Sequence, residues 1–142
     1  MKKVVLLGDS IRQGYEKYVK RAFEGEVQVY SPVENGRFAA YTLRQLSAWR
    51  AEMGCGKGVD LIHWNVGLWD CLLLLDGRPQ TAIEEYQDYL LRIHTVLKKM
   101  FPNAQQVFAT STKVQEHLFG VYKRRNCDIA AYNEVEIGRA HV

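Results

Sequence analysis

The sequence has few cysteines, no long apolar run and no concentration of charge of one sign. Its three cysteines, Cys55, Cys71 and Cys127, are odd in number and widely spaced, which fits neither a disulfide framework nor the paired ligands of a zinc site. No stretch approaches the roughly 18 apolar residues of a membrane span. The 19 Lys and Arg residues outnumber the 16 Asp and Glu residues by only three and are scattered along the chain, so nucleic acid is not the expected partner.

The N-terminus also lacks the apolar segment of a signal peptide, because only residues 4–7 are apolar before Gly8. With 142 residues, 47% of them hydrophobic, the chain is long enough to bury a core without disulfides or metal. We therefore expect one globular domain of a cytoplasmic protein.

Short apolar runs alternate with helical patterns along the chain. Continuous runs predict buried strands at residues 4–7, 59–64 and 106–110, and an alternating run predicts a strand nearer the sheet edge at residues 26–31. Three- and four-residue spacing predicts helices over residues 14–23, 39–53 and 81–100. The alternation predicts an α/β fold, a three-layer α/β/α sandwich with a flavodoxin-like parallel sheet. In such sheets the chemistry lies at the carboxyl ends of the strands.

Gly-Asp-Ser follows the first apolar run directly, at Gly8, Asp9 and Ser10, and Gly14 comes four residues after the serine. A serine on a strand-to-helix turn projects into the crevice, where the first N–H groups of the helix stabilise an oxyanion. Gly8 allows a close turn, and Asp9 caps the helix or orients the loop. Alone, the tripeptide also fits a plain helix cap. The whole pattern resembles block I of the SGNH (GDSL) hydrolases, which implies that Ser10 is a nucleophile.

Residues 35–42 resemble block II of that family, in which a glycine after the second strand donates a backbone N–H to the oxyanion hole. Aligning Asn35 and Thr42 with the block places Ala40 at the glycine position. Alanine keeps the N–H group, so the resemblance implies Ala40 as an oxyanion donor, with Gly36 as the alternative. A plain turn at Asn35 and Gly36 that leads into a helix fits the same residues.

Residues 63–70 resemble block III, which normally reads Gly-x-Asn-Asp and uses the asparagine as a further oxyanion donor. Gly67 and Asp70 match the block, whereas Trp69 stands where the asparagine is expected. Asn65 is the asparagine nearest to that position, and an asparagine at the end of an apolar strand needs a polar partner, which a crevice supplies. We expect Asn65 to take the donor's role; the alternative is that this donor is missing.

The C-terminal part of the chain lacks the Asp-x-x-His block that supplies the general base and its acid partner in this family. A serine without a base is a weak nucleophile. We interpret residues 1–135 as a partial SGNH domain whose last strand, last helix and base-carrying loop are missing. Residues 136–142 do not continue the helical pattern before them, and one allowed reverse translation matches read-through of a sequencing adapter. We interpret them as a non-native tail; a genuine polar C-terminus is the alternative.

The resemblance implies a serine esterase or acylhydrolase that acts on a small acyl or carbohydrate ester through an acyl-serine intermediate. The Ser10 and Ala40 N–H groups and the Asn65 side chain hold the oxyanion in this interpretation. It implies no cofactor and no metal, and its partner is a small-molecule ester. One alternative is a flavodoxin-like module that binds a phosphate or nucleotide at the same turn, although the chain lacks a Gly-rich loop. The other is a degenerate, non-catalytic hydrolase homologue.

Overall fold

The computed structural model describes residues 1–118 and 120–135, which form a sheet of four parallel strands flanked by helices. The predicted tail at residues 136–142, with His141, lies outside the described residues. The elements in chain order are β1 (Lys2–Leu7), α1 (Ser10–Ala22), β2 (Val27–Tyr30), α2 (Ala39–Met53), β3 (Leu61–Trp64), α3 (Ile83–Met100), β4 (Gln105–Phe108) and α4 (Asn126–Asn133), with a 3-10 turn at Glu116–Leu118.

The strand order is β2-β1-β3-β4, and every pairing is parallel. This order confirms the predicted flavodoxin-like α/β sheet and places β2 at an edge, as its alternating pattern predicts. The register pairs Leu7 with Trp64, so β1 and β3 end side by side. The turn after β1 and the loop after β3 therefore begin as neighbours.

Alternate strand residues divide the apolar contacts between the two faces of the sheet. Val5, Leu7 and Ile62 lie in one buried cluster with the apolar sides of α2 and α3. The residues whose spacing predicts α3 are all buried, namely Tyr86, Leu90, Ile93, Leu97 and Phe101. This face holds the main core of the domain.

The opposite face carries α1 beside an open apolar groove of about 490 Å³. Val4, Leu6 and Leu61 line the groove from the sheet, and Val19 and Phe23 line it from α1. Parallel strands are ordinarily covered by helices on both faces. In the part of the chain that the structure describes, α1 packs on this face while α2 and α3 pack on the other, so the groove is left open.

One helix, α1, begins earlier than the sequence pattern predicts. α1 begins at Ser10 because the Asp9 carboxylate accepts a hydrogen bond from Ile11 N at 3.0 Å and so caps the first turn.

α4 begins at Asn126 and reaches the start of α3, where the Tyr132 hydroxyl donates to the Thr81 carbonyl at 2.5 Å. None of the described helices combines the length and apolarity that crossing a bilayer requires.

Candidate active site

The three sequence segments that resemble family blocks meet at the carboxyl edge of the sheet. Asn65 N donates to the Leu7 carbonyl at 3.2 Å, which joins the end of β3 to the end of β1. Gly36 N donates to the Gly8 carbonyl at 2.8 Å, which joins the loop after β2 to the same turn. The tertiary structure thus brings together segments that are about 30 residues apart in the chain.

Ser10 is the exposed first residue of α1. The N–H groups of a first helical turn have no intrahelical acceptor, and the helix dipole makes this end electropositive. Asp9 is buried and fixes the turn by capping α1, while its other carboxylate oxygen has no hydrogen-bond partner in the described part of the chain. The turn therefore presents the Ser10 hydroxyl to solvent on a rigid backbone.

The loop before α2 approaches the turn of Gly8, Asp9 and Ser10 through Gly36. A Cβ atom at Gly36 would lie 2.8 Å from the Gly8 carbonyl oxygen, so only glycine permits this contact between two backbones. Because its N–H is bonded to Gly8, Gly36 does not offer that group to an oxyanion in this conformation. The Thr42 hydroxyl stabilises the loop by donating a hydrogen bond to the Gly36 carbonyl at 2.7 Å. Ala40, the second residue of α2, has an N–H without an intrahelical acceptor.

Asp70 caps α2 from a distant part of the chain. Phe38, the residue before α2, makes no side-chain cap, and the fully buried Asp70 carboxylate instead accepts from Ala39 N at 2.9 and 3.1 Å. The Thr81 hydroxyl donates to the same carboxylate at 2.7 Å. Burial raises the pKa of Asp70 to about 6, and these hydrogen bonds act in the opposite direction. The sequence match at Asp70 thus corresponds to a side chain that fixes the start of α2.

Asp70 is expected to make the protein less stable as the pH rises. Because its folded pKa lies above the ordinary value, the folded state holds this proton more tightly than the unfolded state. This proton contributes on the order of 2–3 kcal/mol to the free energy of unfolding. The contribution is fully present below about pH 4 and is lost as the pH rises through about 6. Urea unfolding at pH 4 to 7 tests this: Asp70→Asn should remove that part of the slope, and Asp88→Asn, at an exposed position of α3, should keep it. Equal slopes for Asp70→Asn and the parent protein would refute the assignment.

Asn65 is half-buried at the end of β3, and its side-chain Nδ2 donates to the Ala109 carbonyl at 2.5 Å. Ala109 follows β4, so this bond ties the ends of β3 and β4 together. A side-chain amide has two N–H groups, and the bond to Ala109 uses one of them. The structure thus fixes the amide while leaving a second donor hydrogen.

The two other matched glycines differ in what the structure demands of them. Gly67 has φ +138°, and a Cβ atom there would lie 2.8 Å from the Ser111 hydroxyl and 3.0 Å from the Tyr86 hydroxyl. Position 67 therefore requires a glycine, both because its φ is positive and because a larger residue would clash with its neighbours. Gly14 lies inside α1 with open space at the position of a Cβ atom, and nothing in the structure explains a glycine there.

Arg12, which no sequence motif singles out, holds the turn of Gly8, Asp9 and Ser10 to the loop before α2. Its side chain is 1% exposed, and its guanidinium donates to the carbonyls of Gly8, Pro32 and Glu34 at 3.2, 2.8 and 2.5 Å. It also pairs with Glu16 at 2.9 Å, and this i,i+4 spacing is the part of the network visible in the sequence. The three carbonyl contacts join residues that no sequence pattern connects.

Glu34 extends this network to α2. Its carboxylate accepts from the Tyr41 hydroxyl at 2.6 Å and from Gln45 and Trp49 side chains at 2.9 Å each. These hydrogen bonds hold the pKa of Glu34 below its usual range. The loop that carries Gly36 is thereby anchored on both α1 and α2.

None of the described histidines is bonded to Ser10. His63 Nδ1 lies 3.2 Å from the Tyr15 hydroxyl on the α1 face of the sheet, and burial lowers the pKa of His63. His94 is buried in α3 with neither ring nitrogen hydrogen-bonded within the described residues, and His117 is exposed on the 3-10 turn. Asp60 precedes His63 with Asp-x-x-His spacing, but its carboxylate accepts from Lys3 N at 2.9 Å, at the amino end of β3. Asp60 therefore lies at the opposite end of β3 from Asn65.

The side chains of residues 1–118 and 120–135 form no group of three or more His, Cys, Asp and Glu able to hold a metal ion.

Of the aromatic residues near the crevice, Trp64 is buried in the core, and Tyr41 stacks edge-on against Trp49. Trp69 is half-buried and lines a surface pocket.

Among solved structures, the crystal structure of an acetyl xylan esterase, AlAXEase, is similar to this chain, with a TM-score of 0.65 and 16% sequence identity. The chain shares the fold of that esterase. The alignment covers 94% of this chain and 69% of the esterase chain. No protein-family model matches the sequence, and no curated protein matches it. The predicted α/β layered fold is therefore confirmed, and the function is inferred from the site.

Proposed function

We propose that this protein is a serine ester hydrolase of the SGNH type, with Ser10 as its nucleophile. The observation that carries the proposal is the position of Ser10, exposed at the first turn of α1 and directly after β1. The start of α2 and the end of β3, with Ala40 and Asn65, come to the same edge of the sheet. The fold shared with an acetyl xylan esterase supports an ester as the substrate, of a small acyl group or a carbohydrate.

In the proposed reaction, Ser10 Oγ attacks the ester carbonyl carbon while a histidine base accepts the hydroxyl proton. The carbonyl oxygen becomes an oxyanion held by the N–H groups of Ser10 and Ala40 and by the second N–H of Asn65. Collapse breaks the bond to the alcohol oxygen, which takes the proton from the base, and leaves an acyl-serine. Water, activated by the same base, attacks this acyl group, releasing the acid and restoring the Ser10 hydroxyl.

We further propose that the base comes from a segment outside the described residues, which adds a strand beside β4 and a helix over the groove of Val4 and Leu6. Two features support this. The groove is apolar and open, although parallel sheets are ordinarily covered on both faces. The backbone groups of Gln106 and Phe108 point away from β3, because Gln105 and Ala109 make the bonds to it, so the outer edge of β4 suits a further strand.

Covalent trapping with an alkyl fluorophosphonate tests the proposed nucleophile. The labelled site is identified by peptide mass spectrometry, with added imidazole standing in for the histidine base. We expect the label on Ser10, faster labelling with imidazole, and none at this peptide in Ser10→Ala. Ser47, exposed on α2, is an internal reference for an ordinary serine. Should Ser10 react no faster than Ser47, the esterase proposal is wrong and a non-catalytic binding domain or degenerate homologue takes its place.

A further inference from the structure

A second surface pocket, of about 520 Å³, lies between the loop after β3 and the segment before α4. Trp69, Leu72 and Leu74 line it from the first side, and Val121, Tyr122 and Arg124 line it from the second. Its volume is within the range of small-molecule binding sites, roughly 300–1,000 Å³. The reaction proposed for Ser10 assigns no role to these residues.

The two walls of this pocket are fixed relative to each other. Leu73 pairs with Lys123 in an antiparallel bridge, with Leu73 N donating to the Lys123 carbonyl at 2.7 Å and the reverse bond at 3.4 Å. The Arg124 side chain also donates to the Leu68 carbonyl. These hydrogen bonds hold the two walls of the pocket together.

The lining of the pocket is aromatic and aliphatic. Trp69 is half-buried and Tyr122 is 49% exposed, so both rings offer surface to a bound group. The lining includes one amide side chain, Gln80, and one charged side chain, Arg124. The Arg124 guanidinium donates a hydrogen bond to the Leu68 carbonyl. A sugar ring carries several hydroxyls that need partners, whereas an aromatic ring gains from stacking and apolar burial. The lining favours an aromatic group.

One wall of the pocket belongs to the loop that begins beside the turn of Gly8, Asp9 and Ser10. Asn65 lies next to that turn, because a Cβ atom at Gly8 would be 3.8 Å from the Asn65 carbonyl oxygen. Trp69 follows Asn65 in the same loop. The loop that carries Trp69 therefore begins at the same edge of the sheet as Ser10.

We propose that this pocket binds an aromatic group of the ester substrate, on one side of the carbonyl that Ser10 attacks. The inference rests on the proposed function and narrows its substrate class to aryl-bearing esters. Stacking between Trp69 and Tyr122 positions the ring, and Leu72 supplies apolar contact behind it. The preference is for an aromatic ring over a sugar ring of similar size.

Binding of benzyl alcohol and of methyl β-D-xyloside, followed by tryptophan fluorescence, tests the pocket without requiring catalysis. Trp49 and Trp64 are each no more than 2% exposed, so the response reports Trp69, and Trp69→Phe checks this assignment. We expect saturable binding of benzyl alcohol and none of the xyloside. Tyr122→Ala should weaken that binding about fivefold or more, and Tyr18→Ala, at a 57% exposed tyrosine on α1, should leave it unchanged.

The outcomes separate the pocket from the nucleophile. Benzyl alcohol should slow fluorophosphonate labelling of Ser10, and it should still bind the Ser10→Ala variant. Preferential binding of the xyloside, or no saturable binding of either probe, would overturn the aromatic pocket. Benzyl alcohol that binds at Trp69 without slowing the labelling of Ser10 would show that the pocket is not part of the substrate site. If Ser10 proves unreactive while benzyl alcohol binds, the proposed function fails and the pocket is a binding site of another kind.

Discussion

Replacing Arg12 with Met is expected to lower the free energy of unfolding by about 3–5 kcal/mol. Methionine fills similar space but donates no hydrogen bond, so the carbonyls of Gly8, Pro32 and Glu34 lose a buried partner. Glu16 also loses its ion pair with this side chain. The Gly8 carbonyl keeps its bond from Gly36 N, so the Pro32 and Glu34 carbonyls are the acceptors that lose this donor without another donor among the described residues taking its place. Each unsatisfied buried acceptor costs about 1–3 kcal/mol, so the sum exceeds the effect of losing the ion pair with Glu16 alone.

Urea denaturation of matched variants measures this effect. Arg21→Met, at an exposed arginine on the same helix, should change stability by no more than about 0.5 kcal/mol. Arg12→Lys should fall between the parent protein and Arg12→Met, because an ammonium keeps the charge but cannot reproduce the planar fork of donors. An Arg12→Met protein within about 1 kcal/mol of the parent would mean that water replaces these contacts and that Arg12 does not hold the turn.

Replacing Asn65 with Ala is expected to slow fluorophosphonate labelling of Ser10 by about 10²-fold, which is the usual effect of losing one oxyanion donor. The phosphoryl oxygen of the reagent develops negative charge as Ser10 attacks, so labelling depends on the same donors as ester hydrolysis. The amide is held by its bond to the Ala109 carbonyl, and its second N–H is the donor that the proposal assigns to the oxyanion.

The structural role of Asn65 needs a separate measurement, because the variant also loses the bond to Ala109. This loss should cost about 1 kcal/mol in urea unfolding, too little to unfold the domain under labelling conditions. Asn103→Ala, at an exposed asparagine between α3 and β4, is the matched control and should leave labelling unchanged. If Asn65→Ala is folded and labels at the parental rate, the oxyanion is held without this side chain.

The elements of this fold follow from local patterns, because a helix or strand depends on which residues recur at 3.6- or 2-residue spacing. The buried side of α3 matches its sequence pattern from Tyr86 to Phe101, and β2 lies at the edge that its alternation predicts. The pattern predicts too late a start for α1, because the periodic signal begins after the cap and Asp9 determines the first turn.

Local patterns are enough to predict the parallel α/β fold and a serine directly after the first strand, because both follow from residues adjacent in the chain. The surroundings of Ser10 depend on contacts between distant segments. Asp70 caps α2 from 31 residues away, Asn65 finds its acceptor 44 residues away at Ala109, and Arg12 binds a carbonyl 22 residues away at Glu34. Such partners depend on how strands and loops pack against one another, and one sequence contains no local pattern that specifies those distances.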